Sequence, residues 1–340
     1  DIHRFRLGEV PSEITALCEP LASYFAILEN TLMDLEKYLE ELQKNSGHEE
    51  DTVEADTWLP VVSQNIGRIS ESKELLIDYA SSASGDGLVS HGRWIIHHED
   101  DGLPDFELVT VPLHVGQILK NALWDRCSRA VCTSATLCAV GSFDRFAERA
   151  GLNFDDVSMH RIASPFDFAR VATFRVPSML EDPRNANAHT NEVAQYLPKL
   201  LAEEKSALVI FTSWRQLKAV VEQLPASTRD SCLVQGQGSK QFLLDSHRKM
   251  IDEKRSSFLF GVSSFAEGID LPNEYCRHVV IAKLPFGPPD DPIDQAYSEW
   301  LESLGRRPFM EVVIPDTALR LIQACGRLIR NEDDYGRITL

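Results

Sequence analysis

No stretch of this 340-residue sequence reaches the roughly 18 consecutive apolar residues that a membrane-spanning helix needs. The first residues, DIHRFRLGEV, also lack the apolar core of a secretory signal. The seven cysteines are scattered without a CxxC pair, which favours free thiols in a reducing compartment over a disulfide framework or a zinc site. We therefore expect a cytoplasmic protein without membrane association, and we assign no residue to a metal.

Two further absences concern phosphate-binding loops. No glycine is followed by lysine, so the pattern GxxxxGK[ST] does not occur, and a DEAD or DEAH box does not occur either. The segment GQGSK, which begins at Gly236, has a similar composition but the wrong spacing between glycine and lysine. The sequence therefore contains neither of these usual motifs for binding a nucleoside triphosphate.

The net charge of −18 argues against a nucleic-acid partner, because Lys and Arg supply most of the non-specific affinity for phosphates. The excess of acidic residues is uneven, since residues 1–60 hold 14 Asp and Glu against 4 Lys and Arg. More than half of the negative charge thus lies near the N-terminus. A local basic groove elsewhere in the chain remains compatible with the composition.

Apolar residues spaced by three and four predict helices in the first part of the chain. We expect one helix over residues 11–45, or two that are broken near Pro20, and another over residues 58–80. The acidic segment NSGHEEDTVEAD between them is expected to be a loop, and SSASGDG is expected to end the second helix. The pattern then predicts a two-stranded hairpin, a helix, an apolar strand and a helix, at residues 92–98 and 106–113, 115–126, 129–137 and 142–152.

From about residue 174 short apolar strands alternate with helices, which predicts an α/β fold with a parallel sheet covered on both faces. The strands are placed at residues 174–176, 207–211, 231–234, 257–262, 279–282 and from Arg337 onward. The helices are placed at residues 191–203, 214–223, 240–254, 292–304 and 316–330.

Ligands of open parallel sheets bind beyond the carboxyl ends of the strands, so the residues just after each strand are the candidates for a site. Three such loops are rich in hydroxyl, amide and small residues, namely TSWRQ (212–216), QGQGSK (235–240) and SSFAEGID (263–270). Hydroxyl groups and backbone donors at the start of helices suit a phosphate or a sugar–phosphate backbone. The pattern therefore predicts a phosphate-binding edge.

The stretch QACGRLIR carries the strongest signal. On a helix, Arg320, Gln323, Arg327 and Arg330 share one stripe that has no interleaved acidic residue. Gly326 costs about 1 kcal/mol in a helix interior, which suggests that another segment packs against the backbone there. Two cations directed at one place would stabilise the charge of a transferred phosphoryl group, although a solvated basic face is the alternative.

Three motifs, CTSATL, SFAEGIDL and QACGRLIR, resemble motifs III, V and VI of superfamily 2 helicases of the XPD-like branch, specifically the DinG family. HRFRLGEVPSEI, VQGQGSKQFLLDSHRK and KLPFGPPDDP match as well, so the similarity covers essentially the whole chain. The resemblance implies a partial helical arch domain at residues 1–105, a returning segment of the first motor domain at 106–165 and a second RecA-like motor domain at 166–340. The family's phosphate loop, iron–sulfur domain and DEAH box are not in this sequence.

The resemblance also implies roles for individual residues. Gln323, Arg327 and Arg330 would contact ATP, with both arginines facing the γ-phosphate. Coupling of the nucleotide to the DNA strand and to motion would involve Glu267, Gly268, Asp270, Thr133, Ser134 and Thr136. The candidates for DNA binding are Thr212, Ser213, Trp214 and Gln235. Trp214 would stack on a base, or would pack between helix and sheet.

The implied function is ATP-dependent DNA unwinding in DNA repair, with 5′ to 3′ translocation along single-stranded DNA. ATP and Mg²⁺ would be bound mainly by the missing N-terminal motor domain, and a 4Fe–4S cluster would lie outside this chain. Single-stranded and forked DNA are the expected partners of a monomer, and this chain alone is expected to be inactive. The interpretation requires that the two arginines are not neutralised by carboxylates of their own domain.

Two alternatives stay open. One is a non-catalytic DNA-binding or regulatory module that lacks its own ATP site. The other is a related member of the family with an exonuclease domain ahead of the motor.

Overall fold

A computed structural model describes residues 1–45, 49–81, 91–100 and 103–340. These residues form two compact units. The first comprises Asp1–Arg126, Arg149–Gly151 and Pro288–Pro308, and the second comprises Cys127–Glu148, Leu152–Gly287 and Phe309–Leu340. Within the described ranges, no helix has both the length and the apolar character of a membrane span.

The helices of the described residues are, in chain order, α1 (Ser12–Asn45), α2 (Glu49–Ala80), α3 (Val115–Ala122), α4 (Asp144–Ala150), α5 (Phe168–Val171), α6 (Ala186–Leu201), α7 (Trp214–Gln223), α8 (Ala226–Arg229), α9 (Lys240–Asp252), α10 (Ser263–Ala266), α11 (Pro292–Ser303) and α12 (Ile314–Cys325). The strands are β1 (Ile2–Phe5), β2 (His91–Asp100), β3 (Leu103–Pro112), β4 (Ala172–Arg175), β5 (Ser206–Phe211), β6 (Cys232–Val234), β7 (Ser257–Val262), β8 (His278–Ile281) and β9 (Gly336–Thr339).

Two long helices, α1 and α2, dominate the first unit. The helix α1 continues through Pro20, so the first segment is one helix and not two. The helix α2 begins at Glu49, so most of the acidic segment NSGHEEDTVEAD is helical. The prediction of a loop over this segment is therefore wrong. Residues 46–48 and most of SSASGDG lie outside the described residues.

The first unit also contains a three-stranded antiparallel sheet in the order β1-β2-β3. The hairpin of β2 and β3 confirms the prediction, while β1 was missed because IHRF is too short to show a pattern. The predicted domain boundary between residues 105 and 106 falls inside β3. The division into arch and motor domains stays a prediction.

Tyr79 ties α2 to this sheet. Its buried hydroxyl lies 2.8 Å from the carbonyl oxygens of both Trp94 and Val109, which share its one proton, and burial raises the pKa of this phenol to about 12. We expect Tyr79→Phe to lower the free energy of unfolding by about 1 to 2 kcal/mol, because these two carbonyl oxygens lose the donor that they share. Urea denaturation measures this loss, and Tyr24→Phe at an exposed position of α1 is the control. Equal stability of both variants would contradict the assignment.

The second unit contains a six-stranded, wholly parallel sheet in the order β4-β9-β8-β5-β7-β6. The strands β5 and β7 are buried at every residue, because a strand that is covered on both faces is apolar throughout. Alternate residues of β5 face two different clusters: Val209 packs with α6 and α7, and Leu208 packs with α9 and the residues after α12. The predicted α/β fold with a RecA-like parallel sheet is therefore confirmed.

The prediction of an apolar strand at residues 129–137 is wrong. This segment of the second unit has no strand partner among the described residues, and the side chain of Val131 is 93% exposed. An extended apolar segment remains a strand only where neighbouring strands satisfy its backbone groups. The sequence pattern indicates that the segment can be buried in a sheet, but it does not tell which sheet.

Candidate functional site

A cavity of about 90 Å³ lies at the carboxyl ends of β5, β7 and β8. The polar residues that line it follow these three strands or belong to α12 and the turn after it: Thr212, Ser263, Glu267, Lys283, Arg320, Gln323 and Arg327. This is the edge of the sheet at which the sequence pattern predicted a ligand site. Two of the three candidate loops contribute to the cavity, and QGQGSK does not.

The helix α12 ends at Cys325 and not at Arg330, so the prediction that both arginines of QACGRLIR lie on the helix is wrong. Hydrogen bonds over three residues replace the helical pattern here, since Arg327 N donates to Ala324 O at 3.2 Å and Leu328 N donates to Cys325 O at 3.1 Å. Leu328 is then buried in the core of the second unit. The chain turns because this leucine must reach the core.

Gly326 has a different role from the one predicted. A Cβ atom at this position would lie 3.3 Å from Ile322 O and 3.6 Å from Gln323 O, which belong to the preceding turn, and no other segment packs against it in the part of the chain that the structure describes. Gly326 directly follows the last helical residue with right-handed backbone (φ −64°), and it does not mark a close approach of another segment.

Arg327 remains with Arg320 and Gln323 at the cavity although it has left the helix. Its Nη1 donates to Ile269 O at 3.2 Å, which is a carbonyl oxygen and not a carboxylate. Burial and, to a smaller degree, the positive charge of Arg330 lower the pKa of Arg327. The negative charges of Glu267, which lines the same cavity, and of Asp270 act in the opposite direction and raise this pKa.

Arg330 has another partner. Its Nε donates to Asp270 Oδ1 at 2.8 Å, so a carboxylate of the same unit faces this arginine. The requirement that both arginines are free of such carboxylates is not met by Arg330. Among the described residues Arg327 has no hydrogen bond to a carboxylate, but Glu267 lines the same cavity and its charge acts on this arginine. The ion pair is open to solvent, with the Asp270 side chain 64% exposed, and exposed pairs contribute only about 0 to 1 kcal/mol.

The loop Glu267–Asp270 is held by cations from two directions. Lys240 of α9 donates to the first carbonyl oxygen of the loop, and Arg248 of the same helix donates to the last at 3.1 Å. Arg327 donates to the carbonyl oxygen of the third residue. Gly268 has a φ of +68°, which few other residues adopt without strain. Any movement of Arg327 therefore acts directly on this loop.

Thr133, Ser134 and Thr136 lie on the exposed segment that was predicted as a strand. Ser134 Oγ accepts from Thr136 N at 3.2 Å and lies 3.1 Å from the Thr136 hydroxyl oxygen, which forms a small turn. They are not among the residues that line the cavity. The structure does not bring this predicted group together with the arginines.

Of the four DNA-binding candidates, only Thr212 lines the cavity, and Ser213 and Trp214 follow it directly in the chain. Ser213 caps α7 through its hydroxyl oxygen, which accepts from Gln216 N at 3.2 Å. Trp214, the first residue of α7, is 43% exposed, and its ring would lie 3.7 Å from a Cβ atom at Gly236. The indole thus faces the QGQGSK loop and does not pack between helix and sheet. Gln235 has a local role, since its Oε1 accepts from Val262 N at 2.9 Å.

Sequence reasoning missed Lys283 and Arg248, and it named Lys240 only as the last residue of the candidate loop QGQGSK. Lys283 lines the cavity, and its Nζ donates to Pro183 O at 2.9 Å. It is the second residue after β8, so the rule that ligand sites form beyond strand ends could have found it. The other two lie on the exposed surface of α9, and their contacts depend on where the loop after β7 folds back.

Comparison with known proteins gives a consistent result. Residues 197–340 match the family described as Helicase C-terminal domain. The chain is 37% identical over 252 residues to the ATP-dependent DNA helicase DinG of Photobacterium profundum, which covers 73% of this chain and 36% of that protein. It is 30% identical over 344 residues to the ATP-dependent DNA helicase DinG of Escherichia coli strain K12. This alignment covers 99% of this chain and 47% of that protein. The chain spans less than half the length of these relatives.

Solved structures share the fold. The structure titled XPD_Helicase aligns with a TM-score of 0.51 and 16% identity, over 90% of this chain and 60% of that chain. The structure titled S. tokodaii Xpd4 aligns with a TM-score of 0.51 and 17% identity, over 100% of this chain and 67% of that chain.

Proposed function

Because this chain belongs with the DinG and XPD-like helicases, as a portion that contains their C-terminal domain, we propose that it provides the second motor domain of an ATP-dependent DNA helicase. One observation carries the proposal: Arg320, Gln323 and Arg327 converge with Lys283 on a cavity at the carboxyl ends of the parallel strands. Convergent cations at such an edge stabilise the charge that develops during phosphoryl transfer.

The size of the cavity supports a shared nucleotide site. Pockets that enclose a whole small molecule have volumes of roughly 300 to 1,000 Å³, whereas this cavity has about 90 Å³. It suits contact with a terminal phosphate group and not with a complete nucleotide. The absence of a GxxxxGK[ST] loop from the sequence leads to the same conclusion. ATP and Mg²⁺ are therefore proposed to be held mainly by an N-terminal motor domain.

Arg330 would join the site by exchanging partners. In the structure its Nε pairs with Asp270, which lies on the loop Glu267–Asp270. A triphosphate offers more negative charge than one exposed carboxylate, and arginine binds phosphate with two parallel hydrogen bonds. The exchange would release Asp270 when nucleotide is bound. This gives a physical route from the nucleotide to the loop that the family resemblance relates to DNA.

The remaining parts of the proposal concern the whole protein. The exposed apolar segment around Val131 would complete the sheet of the first motor domain, and closure and reopening of the two motor domains would move single-stranded DNA in the 5′ to 3′ direction. Thr133, Ser134 and Thr136 on that segment would link hydrolysis to this motion. Forked DNA as substrate, a role in DNA repair, and a cytoplasmic monomer complete the proposal.

An iron–sulfur cluster is proposed to lie outside this chain. Among the described residues no group of three or more His, Cys, Asp and Glu side chains could hold a metal ion. Cys18 and Cys276 are buried in different units, and burial raises the pKa of both thiols. Thiols of this kind do not fit the thiolate ligands of a cluster, so no step is derived from one.

The test is a measurement of phosphate release from ATP with and without single-stranded DNA. The chain alone is expected to hydrolyse no ATP, because it lacks the phosphate loop. A polypeptide that joins the chain to a motor domain with a phosphate loop and a DEAH box is expected to show hydrolysis that DNA stimulates. Hydrolysis by the chain alone would contradict the proposed division of the site.

A non-catalytic DNA-binding or regulatory module is the second candidate. The pairing of Arg330 with Asp270 favours it, because this arginine is already neutralised. A joined polypeptide that binds ATP and DNA but shows no stimulated hydrolysis would decide for this alternative.

A further inference from the structure

A buried carboxylate, that of Asp334, lies between the turn after α12 and the segment that follows the loop Glu267–Asp270. This residue is only 2% exposed. Its hydrogen-bond partners in the part of the chain that the structure describes are three backbone N–H groups, and no Lys, Arg or His side chain is among them. Asp is almost never fully buried unless it is paired. The arrangement therefore indicates a role for this carboxylate beyond filling space.

The two oxygens of Asp334 hold two different segments. Oδ2 accepts from Arg330 N at 2.7 Å and from Asn331 N at 2.9 Å, while Oδ1 accepts from Asn273 N at 2.5 Å. These three N–H groups have no other acceptor among the described residues. A hydrogen bond to a carboxylate is roughly twice as strong as one between neutral groups. One side chain thus fastens the backbone of Arg330 to the segment around Asn273.

The segment Asp270–Asn273 is itself held in place. Leu271 is buried in the core of the second unit, and Asn273 has a φ of +58°, a left-handed conformation that Asn adopts more readily than most residues. Asn331 Nδ2 also donates to Asn273 Oδ1 at 3.4 Å. The bond from Asn273 N to the carboxylate therefore joins the turn after α12 to a fixed point of the core.

Arg330 is consequently fixed at its backbone and mobile at its tip. Its guanidinium pairs with Asp270 at 2.8 Å, and this pair is open to solvent. The bond between Arg330 N and the buried carboxylate does not involve the side chain, so the guanidinium can change partner while the backbone stays in place. A reacting group that is misplaced by about 1 Å can lose roughly 100-fold in rate, so a fixed backbone matters for an arginine that acts on a phosphate.

We propose that Asp334 is the positioning residue of Arg330: it holds the backbone of this arginine beside the loop Glu267–Asp270, so that the guanidinium moves between Asp270 and the terminal phosphate of ATP. The inference rests on the proposed function, which supplies ATP as the ligand. It also limits the movement that follows from the exchange of partners. Asp270 is released while Leu271 and Asn273 stay in place, so the motion is confined to the loop before Leu271.

Amide hydrogen exchange in this chain, resolved to single residues by mass spectrometry with electron-transfer fragmentation, tests whether the carboxylate holds both segments. In the unmodified chain the amides of Asn273, Arg330 and Asn331 should exchange at least about tenfold more slowly than in an unstructured peptide. Asp334→Ala should remove this protection at all three amides, because they lose their common acceptor. Asp333→Ala is the matched control, since it removes the same charge from the exposed neighbouring residue and should leave the three amides protected.

The role in positioning is tested in a polypeptide that joins this chain to a phosphate-loop motor domain. Asp334→Ala should lower kcat for DNA-stimulated phosphate release about 100-fold, while the affinity for ATP changes by less than about threefold. The double variant of Asp334→Ala with Arg330→Ala, assayed with radiolabelled ATP, separates positioning from general damage. If Asp334 acts through Arg330, kcat of the double variant lies within about threefold of Arg330→Ala alone, whereas independent effects would multiply.

The outcomes separate this inference from the proposed function. Unprotected amides at all three positions of the unmodified chain would overturn the inference, even if Asp334→Ala does not fold. Protected amides together with effects on kcat that multiply would assign Asp334 to the stability of the turn alone and would overturn its role in positioning. A joined polypeptide that hydrolyses no ATP would overturn the proposed function and the positioning role with it, while the exchange data would still show whether the carboxylate holds both segments.

Discussion

Replacing Arg327 by alanine is expected to lower DNA-stimulated ATP hydrolysis at least about 1,000-fold in a polypeptide that joins this chain to a phosphate-loop motor domain. The guanidinium lines the cavity beside Gln323, and burial has already removed part of its water shell. The positive charge is therefore at the cavity before the reaction, and little solvent has to reorganise around it. Arg330→Ala should have an effect of the same order if Arg330 leaves Asp270 for the phosphate. The measurement is kcat for phosphate release, together with the affinity for ATP.

The controls separate charge from geometry. Arg255→Ala removes an exposed arginine that pairs with Glu253 outside the cavity, and it should leave kcat unchanged. Arg327→Lys keeps the positive charge but loses the planar fork, so it should recover only a small part of the rate. ATP affinity should change far less than kcat, because the first motor domain is proposed to hold most of the nucleotide. A kcat within tenfold of the unmodified polypeptide for both alanine variants would rule out the proposed role of the arginines.

Asp78→Asn is expected to lower the free energy of unfolding of the first unit by about 3 to 5 kcal/mol, the cost of leaving a buried charge without its partner. Asp78 accepts from Arg93 Nε at 2.6 Å, from Arg93 Nη2 at 2.7 Å and from Thr110 Oγ1 at 2.5 Å. Arg93 is buried and also donates to Gly8 O at 2.8 Å, so it cannot move to solvent without losing that bond. An asparagine retains the shape of the side chain but not its charge.

The effect of Asp78→Asn should depend on pH. Burial alone would raise the pKa of Asp78, but the hydrogen bonds from Arg93 and Thr110 outweigh it, and the pKa lies below its ordinary value. The stabilisation is therefore complete above the unfolded pKa of about 3.9 and is lost as the pH falls through the lower folded value. At neutral pH, urea denaturation should show a large difference in the free energy of unfolding between the variant and the unmodified chain. At about pH 3 this difference should be smaller. Asp34→Asn, at an exposed pair with Lys37, should change little at either pH.

The sequence predicted the parallel sheet well because the apolar composition of its strands indicates that both faces are buried. After its first serine, SFLFGV consists only of apolar residues and one glycine, and the prediction for residues 257–262 matches β7 from end to end. The helix α7 was also predicted with its observed bounds, since Ser213 is a strong cap and Leu217 and Val220 are spaced for one buried face. In both places the local pattern and the tertiary environment agree.

The failures arose where a distant contact decides the local structure. The residues around Val131 have the pattern of a buried strand, but no pattern identifies the neighbour that a strand needs. The sequence GRLIR is compatible with a continued helix, and only the burial of Leu328 under the sheet ends it at Cys325. The positions of Arg327 and Arg330 follow from this ending. The residue types of the candidate site could thus be read from the sequence, while the separation of Arg330 from the cavity could not.

The position of β9 has a consequence for synthesis on the ribosome. The strand β4 pairs only with β9 within the described sheet, and β9 follows β4 by about 160 residues. At about 5 to 20 residues per second, the earlier strand would wait roughly 8 to 30 seconds after its own translation before its neighbour is made. During that time its amide and carbonyl groups are open to pairing with other chains. Nascent chains that stall before Gly336 should therefore be the species that chaperones bind.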